Sequence, residues 1–172
     1  MQELAVAPDP VNTPSTSFDA LYRENSADLF AYAMTLLRDR GAAEDVTMAA
    51  FERAFRGRGS FDRRRGSERA WLFGIARNAA LDELRRRRRV APLHADPADL
   101  PPVLADESDP DRRAAVRAAL AALDPREREL VSLKFLAGLS NTELARVLGT
   151  SESNAGTRLH RVVVKLREAC HA

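Results

Sequence analysis

The sequence has little of the material that builds disulfide-bonded, metal-binding or sheet proteins. Cys170 is the only cysteine, so the chain forms no internal disulfide and no metal site made of several cysteines. The three histidines, His94, His160 and His171, lack metal-ligand spacing, so we expect no metal ion and no other cofactor. Aromatic residues make up only 6% of the chain, which favours Ala- and Leu-rich helical bundles over sandwiches and barrels.

Long apolar runs are also missing. No segment approaches the roughly 18 consecutive apolar residues that span a bilayer. The N-terminus lacks the basic start and apolar stretch of a signal peptide. We therefore expect a cytoplasmic protein with no membrane insertion. The sequence also has no Ser/His/Asp set and no glycine-rich phosphate loop, so we expect no enzyme.

Charge is unevenly distributed along the 172 residues, although the net charge is only +2. Residues 1–55 carry a net charge of −5 and residues 56–89 carry +8. Residues 90–111 contain no Lys or Arg and carry −6, and residues 112–172 carry +5. Two basic blocks on either side of an acidic spacer favour two polyanion-binding surfaces on separate modules, although solvated helix faces also accumulate charge.

Hydrophobic periodicity predicts an all-α protein of two small helical modules. Residues 1–16 contain three prolines and are predicted to be a disordered tail. Residues 17–90 form the first module, and residues 91–111, which hold five prolines, form a flexible acidic linker. Residues 112–172 form the second module.

Capping residues predict where several helices begin and end. Ser17 is the predicted N-cap of a first helix, and Arg40-Gly41 ends a second. A third helix covers AAEDVTMAAFERAFRG, and a fourth covers Ala70–Arg89 with Ser67 as its cap. In the second module, Asp124 caps a helix that has Pro125 at its first position.

The C-terminal segment fits a helix-turn-helix. Ser140 and Glu143 form a predicted capping box on the first helix, Ala145 allows close helix crossing, and Gly149 allows the tight turn. A plain helical hairpin that binds a protein has the same pattern, so DNA binding is one of two interpretations. The outward face of the second helix would present Thr157, Arg158, His160, Arg161 and Lys165, which suits a major groove.

A basic, aromatic region in the first module suits unstacked bases. Aromatic rings stack on bases, an amide reads base edges, and guanidinium groups hold phosphates. For Trp71, burial in the fourth helix is the alternative to base stacking. For Arg85–Arg89, a solvated helix end is the alternative to phosphate contact.

Three segments together resemble the extracytoplasmic-function (ECF) sigma factors, the small bacterial promoter-specificity subunits of RNA polymerase. They are AEDVTMAAFERAFR (43–56), SERAWLFGIARNAALDELRRRRR (67–89) and LDPREREL followed by LSNTELARVLGTSESNAGTRLHR (123–161). The resemblance implies that residues 17–90 bind core polymerase and melt the −10 element, and that residues 112–172 read the −35 element.

The resemblance also implies roles for individual residues. Core-polymerase contacts would come from Glu44, Asp45, Phe51 and Arg53. Contacts to −10 DNA would come from Phe61, Arg64, Arg65, Trp71, Ile75, Arg77, Asn78, Arg85 and Arg86. The −35 readers would be Asn154, Thr157, Arg158, His160 and Arg161.

The implied partners are promoter DNA, the clamp helices of the largest polymerase subunit, the flap of the second largest, and an anti-sigma factor. The acidic linker would mimic nucleic acid in the RNA-exit path, although such acids also serve solubility. Bound to polymerase, the protein would be associated with the nucleoid.

Departures from the family pattern affect both modules. Met48-Ala49 stand where Gln-Glu is common, which would make the polymerase contact less polar. Gly156 stands where a Lys or Arg leads the recognition helix, and Asn154 replaces a common Thr. Loss of one cationic contact would lower −35 affinity or change the sequence that is read. The main alternative function is a two-domain helix-turn-helix regulator that acts without core polymerase; the acidic third helix argues against it, because a repressor needs no polymerase-docking surface.

Overall fold

The computed structural model describes residues 17–90 and 110–171, and these residues form seven α-helices with two short 3-10 turns. The predicted tail (1–16) and most of the predicted linker lie outside the described residues. The helices are α1 (Phe18–Leu37), α2 (Arg40–Arg56), α3 (Glu68–Val90), α4 (Pro110–Ala121), α5 (Pro125–Phe135), α6 (Asn141–Leu148) and α7 (Glu152–His171). We call α1–α3 the N-terminal module and α4–α7 the C-terminal module.

The segment predicted as two helices before Gly41 is one continuous helix, α1, so that prediction is wrong. Ser17 does cap it, accepting a hydrogen bond from the Ala20 amide at 3.2 Å. Asn25, a weak helix former, is held inside the helix because its side-chain amide donates to the Leu21 carbonyl at 2.8 Å.

The boundary between α1 and α2 also differs from the prediction. Arg38 adopts a left-handed conformation (φ 49°) and ends α1, and Asp39 accepts from the Ala42 amide at 2.8 Å to cap α2. Arg40-Gly41 therefore lies in the first turn of a helix and does not end one.

Local signals in the C-terminal module are confirmed. Asp124 caps α5 with Pro125 in its first turn, and Ser140 with Glu143 forms the capping box of α6. Gly149 ends α6 at φ 67°, the conformation that glycine adopts without strain. α4 begins at Pro110, which overlaps the last residues of the predicted linker, because proline fits a helix N-terminus.

The two modules pack against each other. α1 contacts α5, and α3 contacts α6. One hydrophobic cluster contains fully buried side chains from both modules, including Tyr32, Phe73, Leu130 and Leu144. A second cluster between α1, α2 and α3 is rich in alanine, which lets these helices approach closely.

Candidate promoter and polymerase interfaces

The outer face of α2 carries an exposed stripe that is partly apolar. Met48 and Phe55 are 59% and 62% exposed, and Glu44 and Glu52 lie on the same side at helical spacing. A stripe of this kind, apolar with an acidic border, suits docking to another protein. Phe55 was not predicted as a docking residue, although its spacing from Met48 places it on this face.

The residues predicted to contact polymerase divide between two sides of α2. Glu44, Asp45 and Arg53 are exposed. Phe51 is only 3% exposed and packs against Phe18 and Tyr22 in the core, so its prediction as a docking residue is corrected: it supports the face from within.

The loop between α2 and α3 builds one side of a pocket. Asp62 accepts from the Arg64 amide at 2.9 Å and starts the turn that contains Arg63–Arg65. Gly66 follows at φ 137°, a conformation that other residues rarely adopt, and directs the chain into α3. Arg64 and Arg65 are exposed along this loop.

The pocket itself has a volume of about 430 Å³, within the size range of small-ligand sites. Phe61 is 1% exposed and its ring centroid lies 5.5 Å from that of the half-buried Trp71, so both rings form a wall. Ile75 and Asn78 continue the lining along α3, and Asn78 is exposed. Arg65 of the loop also lines the cavity, so five of the predicted −10 residues meet there.

Arg77 does not share this cavity. Its Nε donates to Glu129 of α5 at 2.6 Å, and its side chain is 20% exposed. The side chain that was predicted to contact DNA therefore forms an ion pair between the modules.

The arginine run at the end of α3 is exposed but partly paired. Arg85 pairs with Asp82 at 2.9 Å and Arg86 with Glu83 at 2.7 Å. Arg87 also bonds Glu83, and the hydrogen bonds from these two arginines lower the pKa of Glu83 to about 2. These acids reduce the positive charge that the run presents.

The C-terminal module has the geometry of a helix-turn-helix. Leu144 and Ala145 are buried on the inner face of α6, and the Thr150 amide donates to the Ala145 carbonyl at 2.9 Å across the turn. Ser151 caps α7 by accepting from the Asn154 amide at 3.2 Å. Val162 is buried at 4%.

The predicted −35 residues lie on the face of α7 that points away from this packing. Asn154, Thr157, His160 and Arg161 are exposed, and Arg158 is half-buried. Gly156 lies inside α7, where an added Cβ would meet no atom within 4 Å. A lack of room for a side chain therefore does not explain why position 156 is a glycine.

Neither a metal centre nor a membrane segment emerges from the described ranges. Among residues 17–90 and 110–171, no three His, Cys, Asp or Glu side chains gather to hold a metal ion. None of the described helices is long and apolar enough to cross a membrane.

Comparison with known proteins assigns both modules. Residues 21–90 match the family Sigma-70 region 2, and residues 113–166 match Sigma-70, region 4. The fold and these two matches define a sigma-70-type factor with two regions. We refer to the N-terminal module as region 2 and to the C-terminal module as region 4 from here on.

Curated relatives narrow the class. The chain is 34% identical over 155 residues to the ECF RNA polymerase sigma factor SigL of Mycobacterium tuberculosis, covering 86% of this chain and 85% of SigL. It is 34% identical over 158 residues to the RNA polymerase sigma factor CarQ of Myxococcus xanthus, covering 88% of each. The chain belongs to the ECF sigma factor family. It is an alternative sigma factor that directs transcription initiation by RNA polymerase at promoter DNA.

Solved structures share the fold. The sigma factor RpoE of Bartonella quintana, in complex with the anti-sigma factor NepR, matches at a TM-score of 0.70 and 23% identity over 90% of this chain and 97% of RpoE. CnrH, in complex with the cytosolic domain of CnrY, matches at 0.60 and 27% over 88% of this chain and 85% of CnrH.

Proposed function

We propose that the outer face of α2 docks this sigma factor on the clamp helices of the largest subunit of RNA polymerase. The support is the exposed stripe on which the apolar Met48 and Phe55 alternate with the acidic Glu44 and Glu52. Exposed apolar side chains with charges beside them are the composition of a protein interface. Asp45 and Arg53 add charges at that rim. The proposed partner of region 4 is the flap of the second largest polymerase subunit.

The pocket beside Phe61 captures an extruded base of the −10 element. The composition of this pocket carries the proposal, because an aromatic wall, the exposed amide of Asn78 and the loop arginine Arg65 line one cavity of base-compatible size. Extrusion costs a few kcal/mol of unstacking, which base capture and phosphate contacts offset. Arg64 and Arg65 contact the backbone beside the pocket, and Arg85 and Arg86 contact the flanking duplex.

The exposed face of α7 reads the −35 element. The N-terminal half of a recognition helix enters the major groove, and Asn154, Thr157, Arg158 and Arg161 lie in or next to that half. Arg pairs with guanine and Asn with adenine, so these side chains supply direct readout.

An anti-sigma factor holds the protein inactive in the cytoplasm until a signal releases it to polymerase on the nucleoid. The support is that RpoE and CnrH, which share the fold, were solved with NepR and with the cytosolic domain of CnrY. Acidic residues of the linker follow the RNA-exit path in the assembled enzyme.

Two substitutions separate docking from melting. Met48→Asp places a charge at the centre of the α2 stripe and should reduce core polymerase captured in a pull-down. Asn78→Ala should leave that capture unchanged but reduce permanganate reactivity of the −10 region about tenfold, since one base contact contributes ~1–3 kcal/mol. Asn141→Ala is the matched control, because it removes an exposed amide of α6 that belongs to none of the assigned polymerase or DNA contacts. Equal losses of core capture and promoter opening in Asn78→Ala would refute the assigned role.

A further inference from the structure

One arginine of the run at the end of α3 (Arg85–Arg89) points into the protein. The side chain of Arg87 is 21% exposed, whereas the other four arginines are exposed. Arg87 follows Leu84 by three residues, and Leu84 packs against the alanine-rich cluster between α1, α2 and α3. Residues three apart lie on the same face of a helix, so Arg87 continues the inner face of α3 beyond the apolar core.

This inner face brings Arg87 to the start of α2. Its Nη2 pairs with Oδ2 of Asp39 at 3.4 Å, and Oδ1 of the same carboxylate accepts from the Ala42 amide at 2.8 Å. One carboxylate therefore caps α2 with one oxygen and holds α3 with the other. The Asp39 side chain is 49% exposed, so solvent screens the ion pair and its contribution is modest.

A second acid orients the guanidinium on its own helix. Nε of Arg87 donates to Oε1 of Glu83 at 2.9 Å, and the exposed Arg86 bonds the same carboxylate at 2.7 Å. The Glu83 side chain is 17% exposed, so water competes little for these bonds. Because Glu83 already fixes the planar guanidinium, little further side-chain entropy is lost when Arg87 reaches Asp39.

Arg87 is the one side chain in the last turn of α3 that is not exposed. The residues that follow Leu84 are otherwise exposed, and Val90 is 75% exposed. The carbonyls of a last turn have no partner within the helix, and helix ends open easily. Removal of the Arg87 side chain should therefore release the turn that carries the exposed arginines.

We propose that Arg87 is a positioning residue and does not contact DNA: it ties the last turn of α3 to the N-cap of α2. The tie holds Arg85 and Arg86 in place for the promoter duplex, and the proposal rests on the proposed contacts of those two arginines. Since α2 carries the polymerase-docking face, the tie also sets the position of the DNA-facing arginines relative to the polymerase.

The salt dependence of promoter binding separates a positioning arginine from a phosphate contact. Holoenzyme binding to a fluorescein-labelled promoter duplex is measured over a series of KCl concentrations. Arg85→Ala, the matched exposed arginine, should flatten the slope of log affinity against log salt by about 0.9, the value for one lost phosphate contact. Arg87→Ala should keep the wild-type slope, because the same phosphates are contacted once the turn is ordered. Its affinity should fall about fivefold, the size expected when one residue's backbone is ordered on binding.

Amide hydrogen exchange of residues 85–90 in the free protein tests the tie without DNA. Exchange should be about fivefold faster in Arg87→Ala, because the last turn opens more often. Asp39→Asn should give the same increase, since asparagine keeps the α2 cap but removes the charge that faces Arg87. Arg23→Ala, which removes an exposed arginine paired within α1, is the control and should change neither exchange nor binding.

The tie and the duplex contacts fail in different ways. A slope that Arg87→Ala flattens as much as Arg85→Ala would make Arg87 a DNA contact and overturn the proposal. Wild-type exchange in either Arg87→Ala or Asp39→Asn would also overturn it. If exchange rises in both while Arg85→Ala keeps the wild-type slope, the tie stands and the duplex contact of Arg85 is wrong. If circular dichroism shows that Arg87→Ala does not fold, Asp39→Asn carries both measurements with the same expectations.

Discussion

Replacing Glu129 with glutamine tests how strongly α5 is held to the N-terminal module. The glutamine keeps the shape of the side chain, so packing is preserved. It removes the charge that pairs with Arg77, while its carbonyl oxygen can take the place of Glu129 Oε1, the oxygen that accepts from both Arg77 and Tyr32. The change therefore isolates the polar part of the contact.

The expected cost follows from burial. The side chains of Glu129 and Arg77 are 9% and 20% exposed, so solvent screens their pair only weakly. A hydrogen bond to a charged group contributes ~1.5–3 kcal/mol, whereas complete removal of one partner of a buried pair costs ~3–5 kcal/mol. We expect Glu129→Gln to cost about 1.5–3 kcal/mol, because Arg77 keeps a hydrogen-bond acceptor but loses its countercharge.

Differential scanning calorimetry measures this cost. At about 2–4 °C per kcal/mol for a chain of this size, the melting temperature should fall by about 3–12 °C. Tyr32→Phe should cost less, about 0.5–1.5 kcal/mol, because the ion pair survives, and the double variant should show coupling. Glu168→Gln, which neutralises an exposed acid of α7, is the control. A melting temperature of Glu129→Gln equal to that of this control would refute the reasoning.

Three further results are expected. Gly156→Ala should raise the free energy of unfolding by about 1 kcal/mol, because an added Cβ meets open space. Gly156→Arg should in addition strengthen −35 binding, measured as tighter binding of holoenzyme to promoter duplex. Equal binding by both variants would contradict the account of this position. Ser140→Ala should cost about 1 kcal/mol through loss of the α6 cap, and unchanged melting would contradict it. Burial alone would raise the pKa of Glu143, but hydrogen bonds from Ser67 and Ser140 lower it from 4.5 to about 2. Its stabilisation of the contact between α6 and Ser67 is therefore complete above pH 4.5 and lost as the pH falls toward 2. Trp71 lines the adjoining cavity, so acrylamide quenching of its fluorescence should rise across that range in wild type.

The features that could be predicted from the sequence are those set by short-range interactions. The caps at Ser17, Asp124 and Ser140 bond amides within three residues, and the left-handed Gly149 ends its own helix. The exposed face of α7 follows from the 3.6-residue period alone.

The features that could not be predicted depend on partners far along the chain. The middle of α1 contains Asn25, which disfavours helix on its own, yet it is buried and its side-chain oxygen accepts from Arg69 of α3. The sequence predicts Arg77 as a DNA contact, but its side chain pairs with Glu129, which lies 52 residues later in the chain. Phe51 and Phe55 are both apolar on α2, and only the packing of α1 decides which of them is buried.

Run-off transcription by the reconstituted holoenzyme on a randomised promoter library tests the two-site account most directly. We predict two enriched sequence blocks at a fixed spacing. Asn78→Ala should relax only the downstream block, and Arg161→Ala should relax only the upstream block. A single block, or two variants that relax the same block, would contradict the assignment of the pocket and of α7 to separate promoter elements.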